Sequence, residues 1–354
     1  MGRVLSAALA ALLLGAVQIR TPRPVAAELP EPLETYLTRV LQATPRERQQ
    51  LIRGTPITKL LETNEAQEVA VFGATWIAAS MDAYVEQVKD IENFERGGGF
   101  KDTTRISDPP RLEDFASMTL PSDEISDLRR CRVGDCIVKL GAPQLRRLQT
   151  EIDWRQPTAK TDAMALFRRM ALEYVVGYRE GGNARLAVYR DSDRPTFVAN
   201  ELRSMVERLP MFETALPDLQ RYLLDYPAVS LDGATDFLYW QETRFGLRPT
   251  IRINHLVIQH SADRTVVASK MLYASHYFWT ALELRVLLPD PPRGPGFWFA
   301  MVSRARSDGL TGFVGRIIRG RVRSEAKKGT LAVLVATKAR LEKAPEKMSP
   351  QVRP

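Results

Sequence analysis

Three histidines and two tyrosines in one strand-rich segment hold most of the chain's capacity for acid–base or ligand chemistry. His255, His260 and His276 are the only histidines, and Tyr273 and Tyr277 lie close to the last of them. Side chains on a strand alternate between its two faces, so His255 and His260, five positions apart, point to opposite sides. No carboxylate stands at a spacing typical of a metal site. The segment therefore predicts no metal centre.

Nucleophilic catalysis finds little support in the sequence. There is no Gly-x-Ser-x-Gly turn, and the adjacency of Ser275 and His276 is no evidence for a triad, because triad partners meet in space rather than in sequence. We therefore predict no catalytic residue set and no cofactor. One enzymatic alternative stays open, in which His255 or His276 acts as a general base.

The same segment has the residues that an apolar binding pocket would need. His255 lies between Ile253 and Val257 on one face of a predicted strand, which places an imidazole on an apolar surface. A pocket for a hydrophobic molecule needs only a few polar groups to orient its ligand. We predict four ligand-binding residues: His255, Tyr273, His276 and Tyr277. The alternative is a hydrogen-bonded core histidine with tyrosines at the solvated edges of the sheet.

The only two cysteines, Cys131 and Cys136, form a close pair. The intervening Val133-Gly134-Asp135 can make the turn that brings the two sulfur atoms together. A metal site would need about four ligands. A thiol redox motif normally has two intervening residues, where this pair has four. We predict a disulfide between Cys131 and Cys136, while free thiols and a catalytic pair stay open as alternatives.

Strand segments followed by a long helix must position the histidines and tyrosines. The predicted strands are 236–245, 250–260, 265–288 and 297–306. The third is too long for one flat strand, so we expect a bend or break near 275–279. A helix is predicted from residue 311 to residue 343.

The upstream part of the chain is predicted to be mainly helical. Residues 28–64 form a helical arm, in which Thr44-Pro45-Arg46-Glu47 has the pattern of a capping box. A strand at 68–77 and a helix at 81–94 follow. Further predicted elements are a surface excursion at 100–130, a short strand at 136–140, and helices at 142–152, 159–179, 197–209 and 216–224.

The long final helix is basic. From residue 304 to residue 343 there are eleven basic and three acidic residues. Its packed side is predicted to be lined by Phe313, Ile317, Val322, Ala326, Leu334 and Leu341. Such a helix either presents a solvated basic face or docks to an anionic membrane surface.

The two ends of the chain carry signals of their own. Arg3 precedes an uncharged, mostly apolar run at 4–17, and Val25-Ala26-Ala27 fits a cleavage site. We predict a signal peptide over 1–27, cleaved after Ala27, and hence a secreted or periplasmic protein; an uncleaved anchor is the alternative. Residues 344–354 are predicted to be a disordered tail.

The net charge of +8 is too small to argue for nucleic acid as a partner, and the sequence indicates no oligomeric state.

The order of these elements resembles the START-like (SRPBCC, helix-grip) superfamily. The resemblance rests on the strand at 68–77, the final strands from 250 to 306, and the Gly-rich entry Ser307-Asp308-Gly309-Leu310-Thr311-Gly312 into the last helix. It implies a START-like domain over 65–343, with an insertion at 97–233. Members mostly bind lipids, sterols or other apolar molecules and some are enzymes, so the resemblance implies no fixed catalytic set.

We therefore predict an α+β fold, in which a curved antiparallel sheet grips a long C-terminal helix and carries a helical insertion and an N-terminal helical arm. The predicted function is binding of a lipid or other hydrophobic small molecule in an internal cavity. Two alternatives remain. One is an enzyme that uses the same cavity with a histidine general base, and the other is an envelope interaction protein with a filled core.

Overall fold

The computed structural model describes residues 28–96, 100–211, 215–244 and 248–343. One antiparallel sheet of eight strands forms the centre of the protein, and helices cover both of its faces. The α+β class and the long C-terminal helix are confirmed. The predicted signal peptide at 1–27 and the predicted tail at 344–354 lie outside the described residues.

The central sheet contains strands from the N-terminal and the C-terminal parts of the described chain. The described strands are β1 Ile57–Leu60, β2 Glu68–Ile77, β3 Phe100–Arg105, β4 Val188–Tyr189, β5 Thr196–Phe197, β6 Ala234–Arg244, β7 Pro249–His260, β8 Thr265–Ala274, β9 Phe278–Pro289 and β10 Phe297–Ser307. Their order in the sheet is β1-β2-β10-β9-β8-β7-β6-β3, and β4 and β5 form a separate hairpin. The predicted break after β8 is confirmed, and Tyr277 at this break has a positive φ of 59°.

The two edge strands were not expected from the sequence. β1 lies within the predicted helical arm, and β3 lies within the predicted surface excursion. Both are short and only half-buried over most of their length. Edge strands of this kind lack the apolar run that marks a buried strand, so pairing with β2 and β6 rather than local pattern decides their conformation.

The helices fall into an N-terminal arm, a pair after β2, the insertion and the C-terminal helix. Because β3 belongs to the central sheet, the insertion is here the segment between β3 and β6. They are α1 Glu31–Thr35, α2 Pro45–Ile52, α3 Met81–Lys89, α4 Ile91–Phe94, α5 Ser122–Asp127, α6 Ala142–Thr150, α7 Ala159–Gly181, α8 Val198–Glu207, α9 Pro217–Asp225 and α10 Gly312–Lys343. The predicted capping box is confirmed, because Glu47 N donates to Thr44 Oγ1 (3.2 Å) and Thr44 N donates to Glu47 Oε2 (2.7 Å). In the described part of the chain, no helix is both long and apolar enough to cross a membrane.

The predicted disulfide between Cys131 and Cys136 is confirmed, and it closes a short loop within the insertion. Its loop is tied to the segment after β4, since Gly134 N donates to Arg190 O (2.8 Å) and Cys136 N donates to Asp191 O (3.0 Å). The predicted strand at 136–140 is wrong. These backbone groups bond to the insertion and to the turn after β8 instead of to a neighbouring strand, and Lys139 N donates to Ser275 O (2.9 Å).

Each face of the sheet packs against a different set of helices. The insertion face includes Leu238, Trp240 and Trp298, and is covered by the insertion and the N-terminal arm. The opposite face, which we call the terminal-helix face, includes Phe299 and Met301, and is covered by α3, α4 and part of α10. Burial on both faces explains why the central strands read as nearly continuous apolar runs in the sequence.

Helix α10 crosses the terminal-helix face mainly over β1 and β2. Gly73 permits this close approach, because a Cβ atom there would lie 2.7 Å from Thr330 Cγ2 and 2.9 Å from Leu334 Cδ1. The predicted packed side is correct for Leu334 and Leu341 and wrong for the first half of the helix. The sheet edge meets only a narrow stripe of α10, so three residues of the predicted side are exposed: Phe313, Ile317 and Val322.

Candidate ligand cavity

An apolar cavity of about 410 Å³ lies between the insertion and the insertion face of the sheet. Helix α7 supplies Phe167, Met170 and Ala171 to its wall, and β7 and β8 supply Ile253 and Tyr273. The volume is within the range of roughly 300–1,000 Å³ that is usual for small-molecule sites. Helix α10 contributes no residue to this wall, so the cavity lies on the sheet face opposite to the one that the long helix covers.

The cavity wall follows from the periodicity of two kinds of element. Phe167, Met170, Ala171 and Tyr174 recur at helical spacing, which brings them to one side of α7. Ile253 lies opposite Tyr273 in the register of β7 and β8, so these two side chains lie on the same face. A helix side and a strand pair thus form two opposing apolar walls.

Three tyrosines meet at the sheet side of the cavity, and only one of their hydroxyl groups is unpaired. Tyr174 OH donates to Leu272 O (2.7 Å) and accepts from Ala187 N (3.3 Å), while Tyr189 OH accepts from Ala274 N (3.0 Å). The ring of Tyr273 lies 6.1 Å from each of the other two rings. Its hydroxyl is buried and has no hydrogen-bonding partner among the described residues. Burial raises the pKa of Tyr273 well above its usual value, so the hydroxyl stays neutral and can donate a hydrogen bond.

Two arginines add positive charge to the otherwise apolar lining. Arg190 lines the cavity, and its Nε is buried without a partner among the described residues. Arg185 also lines the cavity and is exposed to solvent. An unpaired buried donor is uncommon in folded proteins. Tyr273 and Arg190 therefore bring two donors with unused hydrogen-bonding capacity to the residues that line the cavity. Because both donor atoms are buried, a ligand reaches them when the wall side chains shift.

His255 does not line the cavity but lies deeper, in a buried polar cluster. Its Nδ1 is 2.8 Å from Tyr178 OH. Its Nε2 is 3.2 Å from Asp236 Oδ1, although the two are not aligned as a hydrogen bond requires. Burial lowers the pKa of His255 to about 4, so the ring is neutral at pH 7. Burial opposes ionisation of Asp236, but His255 and Arg179 outweigh it and hold the pKa of this carboxyl below its usual value.

Lys270 faces His255 across β7 and β8, and sequence reasoning missed it. It is 0% exposed, and its Nζ donates to Asn183 Oδ1 (3.0 Å) and Leu223 O (3.1 Å). Burial lowers its pKa to about 7. The sequence does contain a signal for this buried lysine, because strand alternation places Lys270 between Ala268 and Leu272 on an otherwise apolar face.

His276 and Tyr277 lie at the turn after β8, away from the cavity. His276 is buried, with Nδ1 3.0 Å from Ile137 O and Nε2 2.9 Å from Glu124 Oε2. It therefore ties the insertion to the sheet. Tyr277 is half-buried, and its backbone carbonyl accepts from Asp308 N (2.8 Å). Of the four predicted ligand-binding residues, only Tyr273 lines the cavity.

Comparison with protein families and curated proteins names no ligand for the site. No protein-family model matches the chain, and no curated protein is similar to it in sequence. Across the ranges that the structure describes, no group of three histidine, cysteine or carboxylate side chains could hold a metal ion. The chemistry of the cavity must therefore be inferred from its own walls.

Proposed function

We propose that this protein binds a hydrophobic small molecule with a polar end in the cavity between its insertion and its sheet. The observation that carries the proposal is the buried, unpaired hydroxyl of Tyr273 in an apolar wall. A buried hydroxyl without a partner costs roughly 1–3 kcal/mol. A ligand oxygen that accepts from it would remove that cost while apolar burial adds about 25 cal/mol per Å².

The lining favours an acceptor-bearing, and preferably anionic, polar end. Tyr273 and Arg190 both offer donors, and Arg185 adds an exposed positive charge. A carboxylate or phosphate ester attached to an apolar chain would satisfy these donors and fill the remaining volume. A purely apolar molecule would leave both donors unsatisfied.

We also propose that the protein is START-like and that it acts outside the cytoplasm, and one observation supports each of these proposals. A strand, a pair of helices, an antiparallel sheet and a long C-terminal helix follow one another in the order that the resemblance implies. The Cys131–Cys136 disulfide is compatible with an oxidising compartment. The cavity differs from the one that the START-like resemblance implies, because the insertion covers it and the long C-terminal helix α10 does not.

The enzymatic alternative has weaker support. Both ring nitrogens of His276 lie within hydrogen-bonding distance of protein oxygens, and His255 is only 1% exposed. A second cavity of about 290 Å³ is bordered by Asp236 and Arg179, but neither His255 nor Lys270 lines it. A general base must come within hydrogen-bonding reach of its substrate. Neither histidine has such access in this structure.

Solvent extraction of the purified protein followed by mass spectrometry tests the proposal, together with uptake of an apolar fluorescent dye. We expect a co-purifying amphiphile, and dye uptake after its removal. Ala171→Trp should fill the cavity and weaken dye binding by about tenfold or more. Ala184→Trp is the matched control, because Ala184 is exposed just beyond α7 and does not line the cavity. Equal dye binding by both variants and the wild type would place the dye elsewhere and refute the site.

A further inference from the structure

The first two turns of α10 expose a cluster of large apolar side chains. Phe313 is 75% exposed, Ile317 66% and Val314 65%, and Ile318 is exposed beside them. Single exposed apolar residues are normal on protein surfaces, but four within six positions form a contiguous patch. We call Phe313, Val314, Ile317 and Ile318 the α10 patch.

The geometry of the helix prevents the sheet from covering this patch. The side of α10 that packs on the protein includes Gly315, Thr330, Leu334, Thr337 and Leu341. With about 3.6 residues per turn, the α10 patch lies on the opposite side of the helix. Arg319, on the packed side, also fixes this rotation, since it donates to Thr63 Oγ1 (2.9 Å). Rotation of α10 to bury the patch would break these contacts.

The charge around the patch indicates what could cover it. Residues 312–343 include nine basic and two acidic side chains. Arg316 and Arg321 are exposed within one turn of the patch. An apolar helix side flanked by cations is typical of helices that lie on anionic bilayers, where apolar side chains enter the headgroup boundary and cations attract the lipid charge. Association of two copies through α10 would instead bring like charges together.

We propose that the α10 patch docks the protein on the surface of a bilayer that contains anionic lipid. Phe313 and Ile317 enter the interface, and Arg316 and Arg321 contact the headgroups. The helix stays on the sheet through its second half, where Leu334 and Leu341 are buried. The contact is peripheral, and it does not depend on the cavity or on its ligand.

Co-sedimentation of the purified protein, residues 28–354 without the predicted signal peptide, with vesicles tests the proposal. We expect binding to vesicles of phosphatidylcholine with phosphatidylglycerol and much weaker binding to phosphatidylcholine alone. Binding should fall steeply between about 0.1 M and about 1 M salt, where the screening length shrinks from about 10 Å to about 3 Å. Phe313→Ser with Ile317→Ser should weaken binding at least about tenfold. Arg316→Gln with Arg321→Gln should weaken binding to the anionic vesicles only.

Leu112→Ser is the matched control, because Leu112 is a 42% exposed apolar side chain on the insertion, away from α10. It should bind vesicles like the wild type. Because the four α10 side chains are exposed, their variants should keep the melting temperature of the wild type. Equal binding by all variants, or no binding by the wild type, would overturn the proposal. A wild-type dimer that Phe313→Ser with Ile317→Ser converts to a monomer would assign the patch to self-association and would also overturn it.

Discussion

Removal of the Tyr273 hydroxyl should stabilise the empty protein and weaken its ligand binding. The hydroxyl has no partner among the described residues and is buried on an apolar wall. Leaving such a group unpaired costs roughly 1–3 kcal/mol, so Tyr273→Phe should raise the free energy of unfolding by about 1 kcal/mol after partial relaxation. The same change removes the donor proposed to bind the polar end of the ligand. Stability and affinity should therefore move in opposite directions.

Two neighbouring tyrosines provide matched controls for the same chemical change. Tyr189 OH accepts from Ala274 N, and Tyr174 OH donates to Leu272 O. Each Tyr→Phe change here breaks a hydrogen bond and leaves a buried backbone group unpaired, so each should lower the free energy of unfolding by about 1–3 kcal/mol. Tyr174 OH already donates to Leu272 O, so Tyr174→Phe is the control for affinity, and its effect on ligand binding should be smaller than that of Tyr273→Phe.

The free energy of unfolding of all three variants is measured by urea unfolding, followed by circular dichroism. The protein is first freed of bound amphiphile by solvent extraction. Ligand affinity is measured separately by displacement of an apolar dye. If Tyr273→Phe destabilises the protein as much as Tyr189→Phe does, then the Tyr273 hydroxyl has a partner and the argument for the ligand site is refuted.

Two further predictions concern α10 and the buried lysine. Gly73→Val should lower the free energy of unfolding by about 1–3 kcal/mol, because the valine side chain would collide with Thr330 and Leu334 of α10. Adding Thr330→Ser removes the nearest methyl group and should restore part of this free energy, as measured by urea unfolding. For Lys270, native protein releases the proton near pH 7 and unfolded protein near pH 10.4, so the unfolded chain holds one more proton between these values and stability should rise with pH. Lys270→Met lacks this dependence, so its stability relative to wild type should fall from pH 7 to pH 10, by at most about 1.4 kcal/mol per pH unit.

Either prediction has a clear opposing result. Equal stability of Gly73→Val and wild type would mean that α10 does not approach β2 closely. A stability difference between Lys270→Met and wild type that stays constant from pH 7 to pH 10 would mean that the lysine keeps an ordinary pKa. Comparison of variant with wild type removes the contribution of the buried tyrosines, which titrate in both proteins.

The sequence was sufficient for the features that local pattern determines. Apolar runs placed the strands from β6 to β10, the excessive length of the segment at 265–288 predicted its break, and the capping box at Thr44 marked the start of α2. The Cys131–Cys136 pairing needed only the short separation of the two residues. Each of these features depends on residues that are close along the chain.

Features that depend on distant contacts could not be predicted in the same way. The cavity forms where the segment from Leu140 to Arg190 packs on Ile253 and Tyr273, and nothing local in either part indicates the other. For the same reason His255 could be placed on an apolar face but not assigned its partner Tyr178. The packed side of α10 was half wrong because four of its five buried residues lie in the second half of the helix, from Thr330 to Leu341.

The pairing of β2 with β10 has a consequence for how the chain folds. Glu68 and Arg306, ion-paired across these strands, are separated by 238 positions, and every strand from β6 to β9 reaches β2 only through β10. The sheet therefore cannot be completed until the chain has been synthesised through β10. Contacts of such separation slow folding, since the entropy of closing a long loop is lost before the pairing stabilises it. The cavity needs less of the chain than the sheet does, because its strand wall consists of Ile253 in β7 and Tyr273 in β8. We therefore expect α7 to close over the cavity before β10 completes the sheet.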